Sequence, residues 1–296
     1  MHSVIINAKK DNAQEKPVKK SGLLNRLVIG FSLASFSILI VIWGAVPLAV
    51  EVLIIGIVGV DEFYNLAVKK GIRPSRTNGY IATTALITFT FWGREENLPA
   101  LLVGLLIISM LGYLFRKGFH VSSFLDVGVT VLGYLYVGWT LSYIIFMRCM
   151  EGAPLKFLGT NVERGAGYVL LLIFATHFTD VGAFFIGRFF GKHKLAPHVS
   201  PKKTIEGAIG GLASAVAGAL LIGLPLKMSL PDLITVGLLC GIFSQLGDLW
   251  ASILKRDVNA KDSGNIFASH GGVLDRFDSL MFTSPVIYYY LKYFYM

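Results

Sequence analysis

Long runs of apolar residues constrain this chain more than any other feature. Between Leu27 and Val60 the only charged residue is Glu51. One membrane-crossing helix needs roughly 20 residues, so this run is long enough for two. Pro47 marks the break between them, because proline is favoured in the first turn of a new helix. With the later apolar blocks, the sequence predicts about nine spans: 27–43, 47–68, 78–93, 98–115, 124–147, 166–190, 207–225, 232–254 and 277–295.

Composition supports the same interpretation. Of the 296 residues, 54% are hydrophobic and 15% are charged, whereas a soluble domain has about 25% charged residues. Few soluble domains could bury that much apolar surface, so we predict an all-α, polytopic integral membrane bundle. Cys149 and Cys240 lie far apart without a CxxC spacing, and we expect two unreactive thiols rather than a disulfide or a metal site.

The positive charges are distributed unevenly between the predicted loops. If the N-terminus is cytoplasmic and the spans alternate, 21 of the 27 lysines and arginines face the cytoplasm, as the positive-inside rule requires. The net charge of +9 therefore indicates topology and not nucleic-acid binding. We expect a disordered basic cytoplasmic tail at 1–22, about five spans in 23–165, and a catalytic region of about four spans with two cytoplasmic loops in 166–296. A bacterial cytoplasmic membrane is the expected location.

Acidic residues interrupt the apolar blocks of the C-terminal half. Asp180 and Asp248 both lie inside predicted spans. Ionisable residues at membrane depth are costly and by default mark functional sites. A hydrogen bond between helices is the alternative explanation for each residue taken alone.

The loop after the sixth predicted span combines glycines with basic residues. Glycine lets the backbone approach a ligand closely, and Arg and Lys match phosphate oxygens. Thr204 is placed to cap the next helix, whose N-terminus can itself hold an anion. An ordinary basic cytoplasmic loop is the alternative. The candidates here for binding substrate are Arg188, Lys192, Ser200, Lys202, Lys203, Thr204 and Glu206.

The loop after the eighth predicted span carries the strongest signal. Asp275 and Asp278 are three residues apart at the start of the last helix and therefore share one face. Together with Asp248 they form an oxygen-donor set suited to Mg²⁺. A salt-bridged helix cap made of Asp275, Arg276 and Asp278 is the alternative. The other candidates in this loop are Lys255, Arg256, Lys261, Asp262, His270, Gly271 and Gly272.

Acids, bases and a metal on one face of a membrane protein suggest phosphoryl or nucleotidyl transfer to a lipid phosphate. Residues 252–278 resemble the signature of phosphatidate cytidylyltransferases, S-x-x-K-R, K-D-x-G and H-G-G-x-x-D-R-x-D. The stretches around Asp180, 200–207 and 244–248 resemble that family too. Ala268 and Ser269 stand where many members have Pro-Gly, and Ser263 replaces a common aromatic residue.

The resemblance implies that CTP and phosphatidic acid react to CDP-diacylglycerol and pyrophosphate at the lipid bilayer, without a covalent intermediate. It implies Mg²⁺ at Asp248, Asp275 and Asp278, and it leaves a second cation and a homodimer open. The other implied catalytic residues are Lys255, Arg256, Lys261, Asp262, His270 and Arg276. The implied substrate-binding residues are Asp180, Arg188, Lys192, Ser200, Lys202, Lys203, Thr204, Glu206, Gly271 and Gly272.

Two other functions are compatible with part of the pattern. A transporter could use intramembrane carboxylates as an ion path, but here the acids cluster with lysines and glycine turns. A phosphotransferase of the CDP-alcohol class would carry D-G-x-x-A-R, which the sequence lacks.

Overall fold

The protein is described by a computed structural model that covers residues 35–92, 95–115, 123–152, 154–157, 160–264, 266 and 271–295. The predicted basic tail at 1–22 and the departures from the family signature at Ala268 and Ser269 lie outside this part of the chain. The helices are α1 (35–43), α2 (Ala45–Val68), α3 (Arg76–Phe91), α4 (Leu98–Leu114), α5 (Ser123–Gly133), α6 (Thr140–Arg148), α7 (Arg164–Phe190), α8 (Ile205–Gly223), α9 (Leu230–Asp257) and α10 (Leu274–Tyr290).

Short irregular segments join and extend these helices. A 3₁₀ turn at Glu95–Asn97 precedes α4, and π-helical turns link α5 to α6 (Tyr134–Trp139) and extend α10 (Leu291–Tyr295). Two antiparallel hairpins are present, β1 (Leu155–Phe157) with β2 (Thr160–Val162), and β3 (Lys194–Ala196) with β4 (Ser200–Thr204). The all-α prediction therefore holds for the bundle but missed these hairpins, which lie in the predicted loops.

The membrane character of the fold is supported, but the count of nine spans is not confirmed. Five helical segments in the described residues are long and apolar enough to cross a membrane: Glu95–Leu114, Phe124–Arg148, Arg164–Phe190, Ile205–Gly223 and Leu230–Asp257. Among the other helices, α2 carries Glu51, Asp61 and Glu62, and α10 has 17 residues. The side of the membrane that the N-terminus faces remains a prediction.

Side-chain caps fix where the C-terminal helices begin. Thr204 accepts a hydrogen bond from the Gly207 N–H at 3.1 Å, which confirms the predicted cap of α8. Ser229 accepts from the Asp232 N–H at 3.3 Å at the start of α9. These caps satisfy amides that have no partner inside the helix.

Small residues allow α7, α8 and α9 to pack closely. A Cβ atom on Gly182 of α7 would lie 2.0 Å from the Ser214 Oγ of α8, and a Cβ on Gly237 of α9 would lie 2.5 Å from the Val216 Cα of α8. In a membrane, where apolar surface alone does not drive association, such close backbone approach supplies the packing. The three helices are thereby packed closely together next to the polar residues described below.

Contacts between helix ends agree with alternating spans. Lys70, just after α2, pairs with Asp257 at the end of α9, and both positions are predicted to be cytoplasmic. At the opposite end, Glu95 binds Lys292, and Tyr290 donates to Asp232 at 2.8 Å. Each pair joins segments that the alternation places on one side.

Candidate active site

A cavity of about 710 Å³ opens between α7, the β3–β4 hairpin, α9 and α10. It brings together residues from the two loops that the sequence singled out, although these are far apart in the chain. The predicted site residues that line it are Asp180, Arg188, Lys202, Lys203, Thr204, Asp248, Asp275, Arg276 and Asp278. Residues of both loops therefore line one cavity.

An ion pair joins the hairpin to α9 at this cavity. Lys203 Nζ lies 2.8 Å from Asp248 Oδ2. The Asp248 side chain is 38% exposed and that of Lys203 is 24% exposed, but the Lys203 Nζ atom itself is buried. The hairpin thus holds a cation directly over a carboxylate of the helix.

A second ion pair joins α9 to the start of α10. Lys255 Nζ donates to Asp275 Oδ1 at 2.6 Å. Asp275 Oδ2 accepts from the Ser263 N–H at 2.8 Å, the Ser263 hydroxyl at 2.9 Å and the Gly272 N–H at 3.0 Å. Burial raises the pKa of Asp275, but the Lys255 ammonium and two backbone N–H donors outweigh it and hold that pKa below its usual value. Both of its oxygens are therefore engaged by the protein.

Asp278 is the most buried acid in the cavity. It is 6% exposed, and its Oδ1 accepts from the Ser279 N–H at 2.7 Å. With Asp180 and Asp248 it gives the cavity three carboxylates besides Asp275. Across the described ranges, no three His, Cys, Asp or Glu side chains converge into a ready-made metal-binding group.

Several predicted site residues lie outside the cavity lining. Glu206 accepts hydrogen bonds from the N–H groups of Lys192 at 3.0 Å and His193 at 3.2 Å, and so fastens the hairpin to α8. Arg256 Nε donates to the Val199 carbonyl at 3.4 Å. Gly271 has a φ of 82°, a left-handed backbone conformation that glycine adopts readily. Lys261 and Asp262 are exposed on the loop and Ser200 is half-buried in β4; His270 lies outside the described residues.

The structure adds residues that the sequence reasoning missed. His177, Gln245 and Ser279 line the cavity. Glu62, on α2 in the N-terminal half, is 3% exposed and contacts the loop before α10. An acidic residue inside the second predicted span was a signal that could have identified it.

One side of the cavity is apolar and faces outward. Val181 and Phe184 of α7 line the cavity and are 54% and 57% exposed. Exposed apolar side chains beside a charged pocket suit a ligand with both a hydrophobic and a charged part. The cavity therefore has both charged and apolar residues in its lining.

Comparison with known proteins agrees with these features. The sequence model of the cytidylyltransferase family matches residues 24–294. Phosphatidate cytidylyltransferase of Bacillus subtilis is 31% identical over 91% of this chain and 97% of its own length, and that of Synechocystis is 32% identical over 89% and 94%. The uncharacterised protein YnbB of Escherichia coli is 36% identical over 69% and 70%. The chain belongs to the cytidylyltransferase family.

Proposed function

We propose that this chain is a phosphatidate cytidylyltransferase that converts CTP and phosphatidic acid into CDP-diacylglycerol and pyrophosphate. The observation that carries the proposal is the cavity in which Lys203, Asp248, Arg276 and Asp278 meet beside the apolar surface of α7. Such a cavity can receive a polyphosphate and the headgroup of a lipid together. Family membership and relatives of that name support the reaction.

The reaction forms one phosphoanhydride bond and breaks another. A phosphate oxygen of phosphatidic acid attacks the α-phosphorus of CTP, and the bond to the β-phosphate breaks as pyrophosphate leaves. No nucleophile from the protein is needed, so the protein contributes positioning and charge. Arg188, Lys202, Lys203 and Arg276 line the cavity and would neutralise phosphate oxygens. Lys255, ion-paired with Asp275, would add a further positive charge nearby.

The charges of the cavity support a requirement for a divalent cation. Its lining contains four carboxylates and four lysine or arginine side chains, so the protein's own charges nearly cancel. A bound triphosphate would add negative charge that this set cannot offset. Asp248 and Asp278, with Asp180 beside them, would hold Mg²⁺, which prefers carboxylates and phosphate oxygens. A cation held there would screen the triphosphate charge.

The contacts of Asp275 favour a different role from the predicted one. Its oxygens are taken up by Lys255, Ser263 and Gly272, so we propose that it orients Lys255 rather than binding metal. We also propose that the chain crosses a bacterial inner membrane nine times and that its N-terminus is cytoplasmic. The cavity would then face the cytoplasm. A second cation and a homodimer stay predictions.

The purified protein in phosphatidic acid–detergent micelles provides the test. With CTP and Mg²⁺ we expect CDP-diacylglycerol and pyrophosphate in equal amounts, and no product when diacylglycerol replaces phosphatidic acid. Failure to form a CDP-lipid from CTP would overturn the proposal. Product formation from another nucleotide but not from CTP would overturn the cytidine assignment.

A further inference from the structure

Glu62 is a buried carboxylate that the reaction scheme above does not use. It lies on α2 and is 3% exposed. Its Oε1 accepts from the Val273 N–H at 3.1 Å, and its Oε2 accepts from the Leu274 N–H at 2.8 Å and the Ser263 hydroxyl at 3.1 Å. All three donors belong to the segment that leads into α10.

These contacts supply a cap that α10 lacks in its own sequence. Val273 occupies the N-cap position and makes no side-chain capping hydrogen bond. The first amides of a helix have no partner within it and favour a negative charge nearby. Glu62 meets both needs from a different helix, in the other half of the chain.

Two glycines allow the loop to close over this carboxylate. A Cβ atom on Gly264 would lie 2.1 Å from Glu62 Oε1, and one on Gly272 would lie 2.3 Å from Glu62 Oε2. No side chain fits at those distances. The loop backbone is thus packed directly against the Glu62 carboxylate on two sides.

Ser263 connects Glu62 to the site. Its hydroxyl oxygen lies 3.1 Å from Glu62 Oε2 and 2.9 Å from Asp275 Oδ2, so its single proton is available to either carboxylate. Asp275 in turn binds Lys255. A continuous chain of polar contacts therefore runs from α2 to the ammonium group of α9. Glu62 itself does not line the cavity among the residues that the structure describes.

We propose that Glu62 is a positioning residue for the nucleotidyl transfer. It anchors the loop before α10 to α2 and so fixes Asp275 and Lys255, and the turn of helix that bears Asp278, at the cavity. The inference rests on the proposed function. It gives the N-terminal half of the chain a direct part in shaping the site.

The principal test is Glu62→Gln, which keeps the size of the side chain. It replaces one carboxylate oxygen, which accepts a backbone N–H, with an NH₂ group that cannot accept one. At saturating CTP and phosphatidic acid we expect kcat to fall by about 10- to 100-fold, because small displacements of reacting groups cost about that much. Glu51→Gln is the matched control on the same helix. Glu51 accepts from Ser37 at 2.6 Å and is not part of the cavity lining, so we expect a rate within about twofold of wild type.

Hydrogen exchange separates positioning from general stability. In Glu62→Gln we expect faster exchange at the amides of Val273 and Leu274, and unchanged exchange in α7 and α8. Faster exchange throughout the bundle would overturn the proposal, as would a wild-type kcat, because a space-filling role predicts that the isosteric glutamine is harmless.

A second variant covers the case in which Glu62→Gln does not fold. Ser263→Ala keeps the carboxylate and removes only the bridging hydroxyl, and we expect kcat to fall severalfold with exchange faster near Asp275. A wild-type rate and exchange pattern in Ser263→Ala would overturn the proposed chain of contacts. If the wild-type protein forms no CDP-lipid, the proposed function fails, while the exchange experiment still tests whether Glu62 holds the loop.

Discussion

Lys203 Nζ lies 2.8 Å from Asp248 Oδ2, and this pair joins the β3–β4 hairpin to α9 in the lining of the cavity. The lysine is well placed to exchange the carboxylate for a phosphate oxygen when substrate enters. A phosphate bound by Lys203 would therefore lie close to Asp248, and the lysine would still offset the charge of that carboxylate. The first prediction follows from this geometry.

Lys203→Met should lower the catalytic efficiency of the enzyme with CTP. Losing one charge-assisted contact costs about 1.5–3 kcal/mol, so we expect kcat/KM for CTP to fall about 10- to 100-fold. Lys194→Met is the control, because Lys194 lies on the same hairpin, is exposed and does not line the cavity. Steady-state kinetics with CTP varied measures both. Equal effects of the two substitutions would contradict a specific role for Lys203.

Asp248→Asn should lower kcat by at least about 100-fold, the usual cost of removing a group that stabilises transition-state charge. Asp257→Asn on the same helix is the control. Asp257 pairs with Lys70 and its side chain is 55% exposed, so we expect a rate within about twofold of wild type. An active Asp248→Asn enzyme would exclude this carboxylate from the chemistry.

Metal removal tests the cation directly. The enzyme stripped with EDTA should be inactive and should recover when Mg²⁺ is added. In Asp278→Asn, the Mg²⁺ concentration for half-maximal activity should rise at least about tenfold, as for other losses around metal sites. Full activity in EDTA would show that no divalent cation is needed.

Lys255→Met should lower the free energy of unfolding by about 3–5 kcal/mol, because it leaves Asp275 buried without its partner. Against the effect of burial, Lys255 is the main group that lowers the Asp275 pKa, and the N–H groups of Gly272 and Ser263 also lower it. A folded pKa below the unfolded value gives stability that is present above the unfolded pKa, about 3.9, and is lost as pH falls through the folded pKa. Because the substitution removes part of this stability, the variant should be less destabilised below about pH 4 than near pH 8, as measured by denaturant unfolding in detergent. A pH-independent loss would contradict this account.

The sequence predicted those parts of the site whose residues are close together in the chain. Asp275, Arg276 and Asp278 lie within one helical turn, and the predicted cap by Thr204 depends on a residue three positions away. These local relationships follow from helix geometry alone. The predicted family is likewise confirmed by a match that covers most of the chain.

The contacts of Glu62 could not be predicted in the same way. Its partners Ser263 and Leu274 are 201 and 212 positions away, and no periodicity or spacing relates residues so distant. Glu206 is a second example. Its role in substrate binding stays a prediction, and the hydrogen bonds that its carboxylate accepts from the N–H groups of Lys192 and His193 join residues 14 and 13 positions apart. Only the tertiary arrangement decides which acids face the cavity.

Gly272→Ala tests how tightly the loop packs on α2. The added Cβ would lie 2.3 Å from Glu62 Oε2 and 2.4 Å from Ser263 Oγ, and both atoms are buried and hydrogen-bonded, so neither can move aside cheaply. We expect a loss of about 1–3 kcal/mol in stability, as for other overpacked sites, together with a lower rate. Gly104→Ala is the control, because nothing lies within 4 Å of the position that its added Cβ would take and alanine favours a helix. Thermal unfolding and CDP-diacylglycerol formation measure the two variants, and wild-type behaviour of Gly272→Ala would mean that the loop is not held against Glu62.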